Sequence, residues 1–293
     1  MEPLTFKNAG GFFEFSFEEE HRDTFTNEET LIISDWDDTL NISHALSGKY
    51  AVFSVMAEEC PEIPKELQDI FDIVAKATKE FLTEAVKYGR VLIVTNASGG
   101  WVQDCCKRFM PSIYALVTSF TIISARDYYE SETTCPHKWK QYVFRDIVLA
   151  HYSKTTGMRK NIISIGDGTA EQHAMRSLRA SCYPETNINL ITTKAIRLMG
   201  LVSAEIMARQ LKHIRDSLDK IVHYKLPMDV DVCFDIFTTV RTMPRISTEF
   251  RLVDPADVKK EEDEEEKLCE MGLELLCECE KCRRFFKTIM RYS

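Results

Sequence analysis

Asp35 and Asp37 stand two residues apart in the segment Leu31-Ile32-Ile33-Ser34-Asp35-Trp36-Asp37-Asp38-Thr39-Leu40. Carboxylates this close repel each other unless a cation or a shared proton compensates. That suits them to divalent-metal or acid–base chemistry. The apolar, β-branched run before them reads as a fully buried strand of a parallel sheet. Ligands of open α/β sheets bind outside the carboxyl ends of the strands, which is where Asp35, Asp37 and Thr39 fall. The competing reading is a strand end followed by an Asx-type turn, since Asp-Asp-Thr is good turn material.

Two further buried runs end in polar groups. Val91-Leu92-Ile93-Val94 leads into Thr95 and Asn96, and Asn161-Ile162-Ile163-Ser164-Ile165-Gly166 leads into Asp167. A lysine, Lys138 or Lys140, opens the helix that precedes the Asp167 strand. Glu171 lies in the first turn of the following helix, where the macrodipole favours an acid in any case. It either holds a metal-bound water or only caps the helix. Ser98-Gly99-Gly100 either offers backbone N–H groups to a phosphate or is an ordinary turn.

The elements that position these groups alternate in type. Glu66 to Tyr88 has helical spacing and is stopped by Gly89. A helix follows from Trp101 to Met110, then a β-rich run from Ala115 to Ser124 and a helix from Pro136 to Tyr152. Asn189 to Thr193 is a fifth strand and Ser203 to Ile221 a further helix. Strands alternating with helices over residues 31–221 imply right-handed crossovers and a parallel, three-layer α/β/α, Rossmann-like sandwich. Residues 1–29 form an N-terminal extension, 30–221 the core and 222–293 a C-terminal appendage. The aromatic alternation of Gly11 to Phe17 is an edge strand or a poorly ordered tail.

Apolar residues make up 44% of the chain and charged residues 28%, the balance of a globular domain. The net charge of −9 argues against non-specific nucleic-acid binding by the whole chain. Removing the six acids of Glu261 to Glu266 from that total leaves −3. No apolar run reaches the ~18–20 residues of a membrane span, so no membrane partner is expected. Met1 to Glu20 has no secretory pattern. The 10 cysteines are therefore expected as reduced thiols in a cytoplasmic or nuclear setting.

The strand-end groups, taken together, resemble the four motifs of the haloacid dehalogenase (HAD) superfamily. The first is Asp35-Trp36-Asp37-Asp38-Thr39, the DxDxT form of its phosphatases. The second is Thr95, the third a lysine in Pro136-His137-Lys138-Trp139-Lys140, and the fourth Gly166-Asp167-Gly168-Thr169-Ala170-Glu171. The resemblance spans residues 30–215, about two thirds of the chain. Asp-Trp-Asp-Asp-Thr-Leu and Trp139-Lys140…Phe144 are also similar to a group of uncharacterised HAD-like proteins from unicellular eukaryotes. That pattern selects Lys140 over Lys138.

The resemblance implies a Mg²⁺-dependent phosphatase. Asp35 would be the nucleophile, forming an aspartyl-phosphate. Asp35, Asp167 and the backbone carbonyl of Asp37 would hold Mg²⁺. Lys140 would balance phosphate charge, Thr95 would hydrogen-bond a phosphate oxygen, and Asp37 would be the general acid and base. The competing functions are a catalytically silent HAD-fold interaction module and a phosphotransferase.

The insertion points where HAD enzymes carry caps hold only Asn41 to Pro64 and Ser124 to Cys135. The chain therefore reads as capless or minimally capped. An open site suits a macromolecular substrate, such as a phosphoprotein or a nucleic-acid end. Beyond residue 221, Val230 to Val240 alternates as a strand or hairpin. Val258 to Lys267 is a charged linker or helix face. Cys269, Cys277, Cys279 and Cys282 lack the usual paired zinc spacing. The basic, amphipathic end around Arg283 to Arg291 either binds a partner protein or packs on the core.

Overall fold

The computed structural model describes residues 5–9, 12–16, 21–54, 61–153, 159–181, 191–234 and 248–252. The acidic run at 261–266, the cysteines from Cys269 to Cys282 and the basic end lie outside them.

Strands β1 (Thr5–Ala9) and β2 (Phe12–Ser16) form an antiparallel hairpin. The main sheet begins with β3 (Thr30–Ser34), every residue of which is buried. Helix α1 (Lys65–Ala85) follows, burying Leu67, Phe71, Val74, Phe81 and Leu82 along one stripe. It ends before Tyr88, and tight turns carry the chain to Gly89. A Cβ on Gly89 would lie 2.3 Å from the Thr30 carbonyl oxygen, so only glycine lets α1 hand over to β4 (Arg90–Thr95) beside β3.

Helix α2 (Trp101–Phe109) comes next. The run from Ala115 to Ser124 is not one strand. Its start belongs to a helical turn, α3 (Tyr114–Val117), and only Thr121–Ser124 pairs as β5. Ile113 and Val117, four apart, both sink into the core, and that helical spacing overrides the β propensity of the run.

The chain continues through α4 (Ala125–Tyr129), α5 (Pro136–Tyr152), β6 (Lys160–Gly166), α6 (Thr169–Ser181), β7 (Ile191–Arg197) and α7 (Ala204–His223). Strands β8 (Met228–Phe234) and β9 (Thr248–Leu252) close the sheet, whose order is β5-β4-β3-β6-β7-β8-β9. The first six strands are parallel and β9 runs antiparallel to β8. The sheet grows from β3 toward β5, then restarts on the other side of β3 with β6. That is Rossmann-like order, with the switch point between β3 and β6.

Both faces are covered, as a parallel sheet requires. Ile32, Ile93, Ile163 and Ile165 pack with α1, α2 and α7 on one side. Leu31, Ile33, Val94 and Ile162 pack with α5 and α6 on the other. The sheet runs past residue 221, because β8 pairs with β7. Val230 and Val232 join the α7 layer, while Asp229 and Asp231 alternate to the opposite face. There Arg197 grips Asp231 through two bonds of 2.9 and 2.7 Å, and Arg176 reaches Asp229 at 2.7 Å.

Among the described residues, no helix is long and apolar enough to cross a membrane. Cys105 and Cys106 are buried and Cys135 is partly exposed. Burial pushes the Cys106 thiol up to about 12.

Candidate active site

The carboxyl ends of β3, β4 and β6 lie side by side, because Ser34 registers with Ile93 on one flank and Ile165 on the other. The Asp35 amide extends the ladder by one bond, donating to the Ile165 carbonyl at 2.9 Å. Asp35 and Asp167 thus flank the switch point on neighbouring strands.

Lys140 comes to them from the first turns of α5. Its ammonium lies 2.9 Å from Asp35 Oδ1 and also pairs with Glu171 Oε1. All three side chains are buried. Lys138, two residues earlier, is half-buried; the lysine that meets Asp35 is Lys140. Gly166 makes room for this arrangement, since a Cβ there would sit 2.5 Å from Glu171 Cδ. Glu171 therefore folds back over the end of β6 to reach Lys140 and is more than a helix cap. Its Oε2 is buried with no hydrogen-bond partner among the described residues.

The electrostatics follow from this crowding. Burial pushes the Asp35 carboxyl up to about 7, against the pull of Lys140, with Glu171 and Asp37 adding to the rise. Burial works against the Lys140 charge, yet Asp35 and Glu171 more than offset it and hold its ammonium above the usual lysine range. Asp167 lies well above the carboxylate range through burial first, then the charges of Asp35, Asp38 and Glu171. Its one hydrogen bond to a neighbouring motif is long, 3.4 Å from the buried Thr39 hydroxyl.

Asp37 turns away from Lys140 toward the end of β4. Trp101 Nε1 donates to its Oδ1 at 2.8 Å, Ser43 donates to the same oxygen, and Thr95 donates to Oδ2 at 3.0 Å. Burial still lifts the Asp37 carboxyl above its ordinary value, because it outweighs these donors. The Thr95 hydroxyl also accepts from the Ala97 amide at 2.9 Å. Its proton is directed at Asp37, where the resemblance implied a phosphate oxygen.

Asn96 has a different part from its neighbour. Its Nδ2 donates to the Pro136 carbonyl at 3.2 Å, tying the end of β4 to the start of the Lys140 helix. In the turn after β4, the Gly99 amide is taken by Asp127 Oδ2 at 2.9 Å.

Three participants were missed in the sequence. Trp101 and Ser43 hold Asp37, and only Trp101 left a signal: an indole N–H near a buried position must find a partner. Asp38 adopts φ 52° and accepts from the His44 amide at 3.0 Å. This left-handed turn brings the third carboxylate of the motif toward Asp167.

As placed, no three Asp, Glu, His or Cys side chains among the described residues form a metal-holding group. Asp35, Asp167 and Glu171 nevertheless supply hard oxygen donors, the type that Mg²⁺ takes. Burial first, and then the charges of Asp35, Asp38 and Glu171, raise the Asp167 carboxyl, so a cation among these oxygens would favour its ionised form. The donor chemistry fits a divalent cation.

No family model, no curated protein and no solved structure matches the chain.

Proposed function

We propose that the chain is a Mg²⁺-dependent phosphomonoester hydrolase of the haloacid dehalogenase type, with no folded cap domain and a C-terminal appendage. The observation that carries this reading is the contact of Lys140 with Asp35 and Glu171 beside Asp167. Burying several carboxylates around one ammonium costs stability. A silent interaction module would have no use for it.

Bound among these oxygens, Mg²⁺ would neutralise enough charge for a carboxylate to approach a phosphate. Asp35 is the group that attacks phosphorus, making an acyl phosphate as the ester P–O bond breaks. Lys140 favours the anionic form of Asp35 and offsets the charge of the incoming phosphate. Asp37, held by Trp101, Ser43 and Thr95, gives its proton to the departing alkoxide. It then takes one from the water that cleaves the acyl phosphate, releasing inorganic phosphate. The raised carboxyl of Asp37 suits a general acid, a role typically worth ~10²–10⁴-fold in rate. A phosphate oxygen competes with Asp37 for the Thr95 hydroxyl, which couples substrate arrival to release of the acid.

The test is turnover of a chromogenic aryl phosphate by the full chain. Activity is expected with Mg²⁺ and is expected to vanish with EDTA and in Asp35→Asn. Equal rates for wild type and Asp35→Asn would hand the chain to the interaction-module reading.

A further inference from the structure

A cleft of about 200 Å³ opens beside the site, between the turn after β4, the first turn of α2, the end of β5 and α4. Thr95, the residue that bonds Asp37, forms part of its wall. An alcohol leaving from a phosphate at Asp35 is protonated by Asp37, so this cleft lies on the leaving-group side.

We propose, resting on the phosphatase reading, that the cleft holds the leaving group and selects a compact alcohol that carries an ammonium group. The physiological substrate class is then an amino-alcohol phosphomonoester.

Size supports the compact ligand. The cleft falls below the ~300–1,000 Å³ typical of pockets for drug-sized ligands. It is sized to enclose a compact group rather than a whole nucleoside.

Charge supports the ammonium. Among the described residues, Asp127 is the one formally charged residue in the wall, and no lysine, arginine or histidine lines it. A second phosphate or a carboxylate on the substrate would meet no counter-charge. Gln103 lines the cleft, and its buried Oε1 has no hydrogen-bond partner among the described residues. Tyr128 exposes 66% of its surface at the rim, and a tyrosine ring attracts a cation over its face. The Ile122 and Val102 side chains supply an apolar wall for a short methylene chain. A cation with N–H donors meets each of these features.

The overall reaction balances as amino-alcohol phosphate plus water giving amino alcohol plus inorganic phosphate. The P–O ester bond breaks, and the alkoxide takes its proton from Asp37.

The test compares kcat/KM for three phosphates of matched length: 2-aminoethyl phosphate, 2-hydroxyethyl phosphate and phosphoglycolate. An aryl phosphate serves as the reference. The amine is expected to exceed the carboxylate by about tenfold or more, the scale of one exposed ion pair with a cation–π contact. Asp127→Asn is expected to shrink that ratio, and Gln103→Lys to invert it in favour of phosphoglycolate. The inversion is a gain that an unfolded variant cannot mimic. Turnover of the aryl phosphate without amine preference, or with a preference that neither variant moves, overturns this inference and leaves the phosphatase reading standing. A lysine-containing phosphoserine peptide turned over tenfold better than 2-aminoethyl phosphate also overturns it. Failure on every phosphate, the aryl ester included, sinks the phosphatase reading and this inference with it.

Discussion

Lys140 Nζ lies 2.9 Å from Asp35 Oδ1, joining the first turns of α5 to the end of the central strand β3, and the same ammonium pairs with Glu171 of α6. One cation therefore ties three elements at the switch point. Removing one partner of a buried ion pair costs about 3–5 kcal/mol, because the other charge is left unpaired. Lys140→Met is expected to destabilise the protein by that amount in chemical denaturation. Adding Glu171→Gln should recover part of it, since one of the two orphaned carboxylates becomes neutral. A cost for Lys140→Met below about 1 kcal/mol, the range of exposed pairs, would refute the buried contact.

Gly166 tests the same contact from the backbone side. An alanine Cβ would fall 2.5 Å from Glu171 Cδ and 2.6 Å from its Cγ. The glutamate is then pushed off Lys140. Overpacking of this kind costs about 1–3 kcal/mol. The expected signature is non-additivity: Gly166→Ala should cost far less when Glu171→Ala is already present. Additive costs in that cycle would mean that Gly166 is needed for some other reason.

Trp101→Phe isolates the indole N–H that Asp37 receives at 2.8 Å. The ring still fills its buried position, while Asp37 keeps Ser43 and Thr95. A misoriented acid matters most when the alkoxide leaves poorly. The variant is expected to lose on the order of 10-fold in kcat with an alkyl phosphate, a fraction of the usual acid–base contribution, and far less with an aryl phosphate. An equal loss on both would assign Trp101 to structure alone.

The buried strands were legible because β3, β4 and β6 lie inside a parallel sheet. Leu31 to Ser34 and Val91 to Val94 read as continuous apolar runs for that reason. Asp35, Thr95 and Asp167 could be placed together because residues that end such strands share one edge of the sheet, whereas Lys140, on a helix, was selected by the resemblance alone. That Ser43 and Trp101 meet at Asp37 could not be read. Ser43 and Trp101 are brought to it by a 3-10 turn after β3 and by the turn before α2, and neither turn writes a periodic pattern. The helical turn at Tyr114–Val117 was hidden by β-branched composition, since propensity yields to packing. Strand β8 was legible as an alternation, but not as part of the core. Its Asp229 and Asp231 look solvent-facing until Arg176, Gln172 and Arg197 arrive from α6 and β7.

Lys194 gives a prediction away from the site. It lies on β7, wholly buried, with Nζ donating to the Val222 carbonyl at 2.7 Å and lying 4.9 Å from the Phe25 ring centre. Burial drives its amine well below the usual lysine range, and the distant charge of Asp23 offsets only part of this. The unfolded chain keeps an ordinary lysine, protonated up to about pH 10.4. Between the depressed folded value and that pH, the unfolded state binds more protons at this residue, so the contribution of Lys194 to stability climbs as pH rises. Lys194→Met fills nearly the same volume and has no proton to lose. It gives up one hydrogen bond to Val222, worth about 1 kcal/mol. The variant is therefore expected to have the higher Tm near pH 6, where folding wild type must strip or bury the ammonium. Its advantage should shrink steadily toward about pH 10, where the unfolded lysine also begins to lose its proton. A Tm difference that stays constant across that range would show that Lys194 folds with its charge intact and that Val222 and Phe25 suffice to hold it.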